Sequence, residues 1–511
     1  MDEQPEQTTP GDGAPAAPDG PSDAGADDGL GKKALRSGAW VALGYGGGQI
    51  LRFGGNLVLT RLLFEEAFGL MALIASVLAG LELFSDIGVG PSIIQSPRED
   101  RGFLDTAFTM QAGRGLVLWL VGCALAIPLA NLYEEPSLTW MLPLCALSAL
   151  VNGLSSTKLF TLNRALSLGR IEVIQIGSQA AGMITMVVWA LISPTVVALV
   201  SGTLVSGAVK LVMTHLYLPG ANNRLRWDRE AAKELITFGR WIFVSTLLTF
   251  LAGQSDRLVF GKLVPMDRLG VYSIGMALAT LPSDVVARLA MQVVFPLYSR
   301  VHEGEGFGEL FQKSRLPILV GAGWACAGLI AGGPAAVEFL YDDRYQAAGW
   351  VIQLLAAGAW FTVMGSIYGS VLLAQGTPRY VSMGAAGKLA AMLVLIPAGF
   401  YLGGRYDADW AFAGAVAGFA LAEVARYLVS MIAARPRVGR LRYDPWLTVV
   451  VLGVGVGVAA LDRFVAGLGV HALLRGLLVA LVVTLLWAPL GRPHVKVLVE
   501  KVRGRLGRRA G

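Results

Sequence analysis

Charged side chains recur inside the long apolar segments of this chain. The acidic members of the set are Glu82, Asp86, Asp256, Asp284 and Glu423. The basic members are Arg52, Arg114, Arg257, Arg288 and Lys388. An ionisable side chain at the centre of a membrane helix costs roughly 2.5–3.5 kcal/mol on insertion scales, so such groups usually face a wet cavity and mark a pathway. The set predicts a polar route through a membrane protein.

The basic members predict a cationic cavity that holds an anionic headgroup. A guanidinium presents a planar fork that grips two phosphate oxygens at once, and its charge does not titrate away. The competing interpretation is a set of local ion pairs, because Asp284 precedes Arg288 by one helical turn and Glu423 precedes Arg426 by three residues. For any single pair both interpretations stay open, and for the whole set a cavity is favoured.

The acidic members are predicted to couple transport to an ion gradient or to gate it. A carboxylate buried in apolar surroundings holds a proton more readily than one in water. Glu82 and Asp86 lie one turn apart on the same face of a predicted helix, and Asp86 falls near its cytoplasmic end, where gating competes with substrate contact. No cofactor is expected, apart from a coupling proton or sodium ion.

The elements that must position these charges are membrane-spanning helices. The chain of 511 residues is 54% hydrophobic and 15% charged, with a mean hydropathy of +0.58. Apolar runs of about 20 residues, long enough to cross roughly 30 Å of hydrocarbon, number about fourteen and predict an all-α polytopic membrane protein. These spans lie near 38–60, 68–94, 104–131, 137–157, 171–193, 195–218, 236–261, 269–298, 315–333, 346–374, 379–402, 409–433, 446–466 and 471–490.

A repeat divides the spans into two groups. Residues 61–71 reappear at 262–272, so that Phe68-Gly69-Leu70 matches Leu269-Gly270-Val271, and each copy joins two long apolar segments. A duplicated group of helices is how secondary transporters build two lobes that rock about a site near the bilayer midplane. The repeat also matches Glu82 and Asp86, within one residue, to Asp284 and Arg288. The pattern therefore predicts a carrier.

Basic residues predict the orientation, because Lys and Arg collect in cytoplasmic loops. Most of the 42 Lys and Arg fall inside if both termini are cytoplasmic. Lys210 and Arg475 lie near span ends, where their stems can reach the interface. The predicted parts are an acidic disordered tail (1–34), two pseudo-symmetric six-helix lobes (35–218 and 236–433) joined by a cytoplasmic linker (219–235), two further helices (434–490) and a basic tail (491–511).

Residues that would support catalysis do not cluster. The four histidines lie in loops or at span ends, and no glycine-rich nucleotide loop is present. Cys123, Cys145 and Cys326 lie in apolar runs, so neither a disulfide framework nor a metal site is expected. The net charge of +6 is explained by cationic loops that face anionic lipid headgroups, and nucleic acid is not an expected partner. The sequence favours a transporter over an enzyme.

Several stretches, in this order and spacing, resemble the polysaccharide transporter family of the multidrug/oligosaccharidyl-lipid/polysaccharide exporter superfamily, the Wzx-like flippases. The stretches are 59–63, 68–70, 81–90, 94–95, 256–261, 269–273, 294–300 and 373–378. The resemblance covers about residues 35–435, is weak over the last two spans, and is absent from the acidic tail.

This resemblance implies two six-helix lobes around a central cavity, with two extra helices. It also implies alternating access that exports an undecaprenyl-diphosphate-linked oligosaccharide across the bacterial cytoplasmic membrane for O-antigen, capsule or exopolysaccharide synthesis. A polysaccharide polymerase or glycosyltransferases are possible partners besides the lipid-linked oligosaccharide and the bilayer. The alternatives are a peptidoglycan-precursor flippase or an ion-coupled multidrug exporter of the same superfamily, and, from other classes, a membrane scaffold or a glycolipid-assembly enzyme.

Overall fold

The computed structural model describes residues 44, 46–85, 89–95, 100–165, 168–220, 222–295, 298, 307–438 and 444–507. Within these ranges the regular elements are helices and no strand occurs. The helices are α1 (46–62), α2 (Glu65–Phe84), α3 (Val89–Gln95), α4 (Arg101–Tyr133), α5 (Leu138–Gly153), α6 (Lys158–Arg164), α7 (Leu168–Ile192), α8 (Val197–Leu216), α9 (Arg229–Leu263), α10 (Met266–Ala279), α11 (Leu281–Leu289), α12 (Phe307–Leu340), α13 (Ala348–Ala374), α14 (Pro378–Gly403), α15 (Ala408–Val438), α16 (Asp444–Gly467) and α17 (Ala472–Gly507). The predicted fold class is confirmed.

Ten of the described helices are long and apolar enough to span a membrane, and two bent pairs raise the number to twelve. The two further predicted spans, 38–60 and 236–261, overlap with α1 and α9, and the part of the first span that precedes residue 44 lies outside the described residues. The predicted span 68–94 differs from the structure, because α2 ends at Phe84 and α3 begins at Val89. The protein is a multi-pass membrane protein.

A proline bends the helix pair that corresponds to predicted span 269–298. The axes of α10 and α11 differ by 43°, and Pro282 stands in the first turn of α11. Proline has no N–H and its ring collides with the carbonyl oxygen of the preceding turn, so it is tolerated where a helix restarts. The bend allows α11 to leave the direction of α10, and α11 carries Asp284 and Arg288.

The two copies of the repeat cross at their glycines. A Cβ atom built on Gly69 of α2 would lie 1.9 Å from the Met266 carbonyl oxygen, and one built on Gly270 of α10 would lie 1.9 Å from the Glu65 carbonyl oxygen. Met266 and Glu65 are equivalent positions of the repeat, so the contact is reciprocal, as a two-fold relation requires. Two backbones can approach this closely only where both residues lack a side chain.

The crossing lies in a core that both halves of the chain share. We call α1–α8 the N-terminal half and α9–α15 the C-terminal half. Buried side chains on either side of the crossing, including Leu73, Met141, Leu269, Tyr272 and Ile352, form one apolar cluster. The closed end is the end of the bundle that carries the α1–α2 and α9–α10 turns, next to this cluster. By the predicted orientation it faces outward.

A buried arginine of α17 forms ion pairs with α16 and α12, and so links the last two helices to α12. The Arg475 side chain in α17 is 5% exposed, donates from Nε to Asp462 Oδ1 at 3.1 Å, and donates from Nη1 to Glu338 Oε2 at 2.8 Å. The indole of Trp487 also donates to the Val320 carbonyl oxygen at 2.8 Å. From its position near a span end, the Arg475 side chain is predicted to extend to the membrane interface. The structure shows it buried instead, because acidic side chains on two neighbouring helices pair with it.

A candidate substrate cleft between the two halves

Charged side chains from the two halves face each other. Arg52 of α1 and Asp284 of α11 are close enough for their charges to interact, and both side chains are exposed. Arg288, one turn further along α11, is exposed too, and its charge also acts on Asp284. Exposure of charged groups to lipid at this depth would be costly, so they line an aqueous cleft. The structure thereby brings together three of the predicted site residues.

Arg114 is held at the end of α2. Its Nε donates to the Ser85 hydroxyl at 2.9 Å and its Nη2 donates to the Glu82 carbonyl oxygen at 2.5 Å. A cation is stabilised there because the last carbonyl groups of a helix carry partial negative charge. The Glu82 side chain itself is exposed. Glu82 and Arg114 line a cavity of about 420 Å³ in the N-terminal half.

Arg257 lies between the halves and Asp256 does not. The Arg257 Nη1 donates to Gln254 Oε1 at 2.8 Å, and the same oxygen accepts a 3.1 Å hydrogen bond from Ser76 of α2. Asp256, by contrast, is 2% exposed and accepts a 2.7 Å hydrogen bond from the Tyr272 hydroxyl. Neighbouring residues on one helix therefore face different surroundings.

Lys388 and Glu423 form a buried ion pair inside the C-terminal half. Lys388 Nζ lies 2.6 Å from Glu423 Oε1, and Arg426 Nε lies 3.1 Å from Glu423 Oε2 without the alignment of a hydrogen bond. The Lys388 ammonium also lies 4.9 Å from the centre of the Phe419 ring. These contacts match the ion-pair interpretation, while the roles in substrate binding and coupling stay predictions. Asp86 lies outside the described residues.

The sequence prediction did not include four residues that line cavities in the N-terminal half. They are Asn56, Asn152, Gln175 and Lys210. Each stands three or four residues from another polar side chain in an otherwise apolar helix, for example Asn56 after Arg52 and Asn152 after Ser148. A search for polar side chains, charged or uncharged, at helical spacing would have found them.

An exposed ion pair joins the halves at the closed end. Lys262 Nζ donates to Glu134 Oε1 at 2.7 Å and to the Leu132 carbonyl oxygen at 2.8 Å. The hydrogen bond and charge of Lys262 lower the pKa of Glu134 below its usual value of 4.5. The pair is therefore complete above that value and is lost as the pH falls through the lowered pKa.

Loss of this pair is expected to have a small effect. Because both side chains are exposed, Lys262→Met should raise the pKa of Glu134 towards its usual value and change the ratio of open to closed molecules by less than about fivefold. Distances between spin labels on the two halves at the closed end, measured at neutral and acidic pH, test this. A complete opening of the variant at neutral pH would contradict the expectation.

Comparison with known proteins identifies the family. The family model described as "Polysaccharide biosynthesis protein" matches residues 58–348, which is more than half of the chain. The chain belongs to this polysaccharide biosynthesis protein family. The resemblance noted from the sequence is confirmed.

Individual relatives of this family protein are distant. It is 22% identical to the lipopolysaccharide biosynthesis protein WzxC of Escherichia coli, over 62% of this chain and 65% of that protein. It is 23% identical to the succinoglycan biosynthesis transport protein ExoT of Rhizobium meliloti, over 64% of this chain and 66% of that protein. The chain thus spans about two thirds of the length of these relatives.

Solved structures support the fold. A lipid II flippase, MurJ, in an inward closed conformation matches with a TM-score of 0.66 at 12% identity, covering 90% of this chain and 99% of that chain. An inward-facing multidrug resistance transporter of the MATE family matches with a TM-score of 0.56 at 14% identity, covering 76% of this chain and 94% of that chain. At these identities the likeness concerns the fold alone.

Proposed function

We propose that the protein is a flippase that moves an undecaprenyl-diphosphate-linked oligosaccharide from the inner to the outer leaflet of the bacterial cytoplasmic membrane. The observation that carries the proposal is the cleft in which Arg52 of one half faces Asp284 and Arg288 of the other. Arginine side chains suit a diphosphate, because the guanidinium fork pairs with two oxygens. Membership of a polysaccharide biosynthesis family agrees with this chemistry.

The two faces of α11 match an amphipathic substrate. Asp284 and Arg288 stand on one face, and Leu281, Val285 and Leu289 stand on an adjacent face that lines an apolar groove of about 920 Å³. The far side of the groove is formed by α12 and α17. A lipid tail in the groove and a diphosphate in the cleft would lie on neighbouring faces of one helix. This arrangement supports a lipid-linked substrate over a water-soluble one.

The cycle follows from the reciprocal crossing at the closed end. With both termini in the cytoplasm, the closed end faces outward and the cleft receives its substrate from the inner leaflet. Rocking of the halves about the shared core then exposes the headgroup to the outside, which is alternating access. Binding of a proton or sodium ion to a carboxylate such as Glu82 or Asp284 supplies the bias between the two states. The protein acts as a carrier and performs no bond-making step.

Neutralising the cleft arginines is expected to reduce transport at least tenfold. In cells that lack the gene, re-expressed Arg52→Gln and Arg288→Gln variants should accumulate lipid-linked oligosaccharide in the inner leaflet, because a charge-assisted contact to the diphosphate is lost. Leaflet distribution and surface polysaccharide are measured together. Arg405→Gln, which changes an exposed arginine at the closed end, is the matched control and should behave as the unaltered protein.

Two other results would overturn the proposal. Unchanged surface glycans with increased drug sensitivity, in cells that lack the chain, would assign it to small-molecule export. Normal flipping by folded Arg52→Gln and Arg288→Gln variants would make the charges of the cleft structural.

A further inference from the structure

A polar space lies inside the N-terminal half, beside the cleft. One cavity of about 420 Å³ is bounded by α2, α3, α4, α5, α6 and α8, and a second of about 500 Å³ is bounded by α1, α2, α5, α7 and α8. Asn152 and Lys210 line both cavities. The two cavities are therefore neighbours that share a wall of two polar side chains. Their combined size is within the usual range for small-molecule sites.

Polar side chains reach this space from four helices at helical spacing. Arg52 and Asn56 stand one turn apart on α1, and Ser148 and Asn152 stand one turn apart on α5. Gln175 with Ser178 and Gln179 on α7, and Thr203 with Ser206 and Lys210 on α8, repeat the arrangement. Side chains separated by three, four or seven residues share a helix face. Four helices thus turn their polar stripes towards one another inside an apolar bundle.

Several of these groups have no partner in the described part of the chain. The carboxamides of Asn56, Asn152 and Gln175 and the ammonium of Lys210 make no hydrogen bond or ion pair with another described side chain or backbone group. Ser155 is 4% exposed and its hydroxyl, which belongs to a residue that lines the smaller cavity, also has no partner there. Only Ser155 is buried, and buried polar groups are rarely left without a partner. Asn56, Asn152 and Lys210 are half-buried and Gln175 is exposed, so their polar groups are accessible to a ligand in the space.

The charge of the lining is positive. Arg52, Arg114 and Lys210 contribute basic side chains, and Glu82, whose charge is near enough to act on Lys210, contributes the acidic one. Carboxamides both donate and accept hydrogen bonds, which is the property that vicinal sugar hydroxyls require. An ammonium group pairs with a carboxylate. The lining therefore combines the chemistry of a sugar site with that of an anion site.

We propose that this space binds an acidic pyranose, the residue of a lipid-linked oligosaccharide that carries a carboxylate. Lys210 binds the carboxylate, and Asn56, Asn152 and Gln175 bind the hydroxyls. This inference rests on the proposed flippase function and adds the class of sugar. Arg52 lines the larger cavity and also faces the cleft, so the space opens beside the place given to the diphosphate. Glu82 acts on Lys210 without forming an ion pair, so a neutral sugar leaves the ammonium without a direct partner among the described residues, and this difference provides selectivity.

Titration of the purified full-length protein in nanodiscs tests the proposal with three probes. Glucuronic acid should bind about tenfold more tightly than glucose, as one charge-assisted hydrogen bond predicts. Lys210→Met should remove this preference, and Lys210→Arg should retain most of it. Asn152→Leu should weaken both sugars several-fold. Farnesyl diphosphate, which probes the cleft, should bind each of these variants as it binds the unaltered protein.

The controls separate the two proposals. Lys233→Met changes an exposed lysine of α9 and should leave all three affinities unchanged. The sugar site would be overturned if the unaltered protein bound glucuronic acid and glucose equally, or if the preference for glucuronic acid survived in Lys210→Met. In either case, continued binding of farnesyl diphosphate would still support the flippase proposal. If Lys210→Met does not fold, the sugar affinities of the unaltered protein and of Asn152→Leu still test the proposed sugar site. The flippase proposal itself would be overturned if the unaltered protein did not bind farnesyl diphosphate and if cells lacking the chain kept a normal leaflet distribution of lipid-linked oligosaccharide.

Discussion

Gly270→Ala is expected to prevent closure of the bundle and to abolish transport. The added methyl group would stand 1.9 Å from the Glu65 carbonyl oxygen, and that atom belongs to a helix backbone that cannot turn aside. Overpacking of this kind costs about 3 kcal/mol, which corresponds to a decrease of more than a hundredfold in the closed population. Gly69→Ala should have the same effect, because its methyl group would meet the Met266 carbonyl oxygen.

The closed end can be followed directly. With Cys123, Cys145 and Cys326 replaced by serine, spin labels at Thr195 and Asp407, both exposed in turns at this end, report the separation of the halves. The distance should increase in Gly270→Ala, and flipping should fall with it. The double variant should add little to either single change, because the two glycines make one contact.

Gly113→Ala is the matched control for this change. Gly113 also lies within a helix, yet a Cβ atom there meets nothing within 4 Å. Alanine is favoured over glycine in helices by about 1 kcal/mol, so the control should be neutral or slightly more stable. A Gly270→Ala protein with an unchanged label distance and normal flipping would show that the crossing tolerates a side chain and that the halves do not close through it.

Glu423→Gln is expected to destabilise the C-terminal half by about 3–5 kcal/mol. The change removes the partner of Lys388, which is 8% exposed, and the partner of Arg426, so that an unpaired charge is left in the interior. Lys388→Met combined with Glu423→Gln should recover most of the loss, since the uncompensated ammonium is then absent. Arg426 is less buried and its Nη2 lies 3.4 Å from the Thr362 carbonyl oxygen, which leaves it a partner.

Thermal unfolding of the purified variants measures this loss, and flipping in cells is measured beside it. Lys262→Met, which breaks an exposed pair, is the control and should melt close to the unaltered protein. A Glu423→Gln protein that unfolds normally but does not transport would assign Glu423 to ion coupling, as the sequence analysis predicts. A variant that is both stable and active would show that the pair is dispensable.

The structure explains why charges that look alike in sequence differ in role. Asp284 and Asp256 both interrupt an apolar helix beside an arginine, and both are predicted as coupling groups. Asp284 stands exposed in the cleft, whereas Asp256 is turned towards Tyr272 inside the core. The direction depends on how each helix is rotated against its neighbours. That rotation depends on packing between side chains that are distant in sequence, and it therefore cannot be predicted from a local sequence pattern.

By itself, the sequence determined the class of the protein, the approximate spans and the repeat. These properties follow from matching about 20 apolar residues to the bilayer and from comparison of one segment with another. Tertiary structure decided that Lys388 meets Glu423 and that Arg475 meets Asp462 and Glu338. It also decided that Asn152 and Lys210 share a cavity, because these groups come from different helices and meet only when the helices pack.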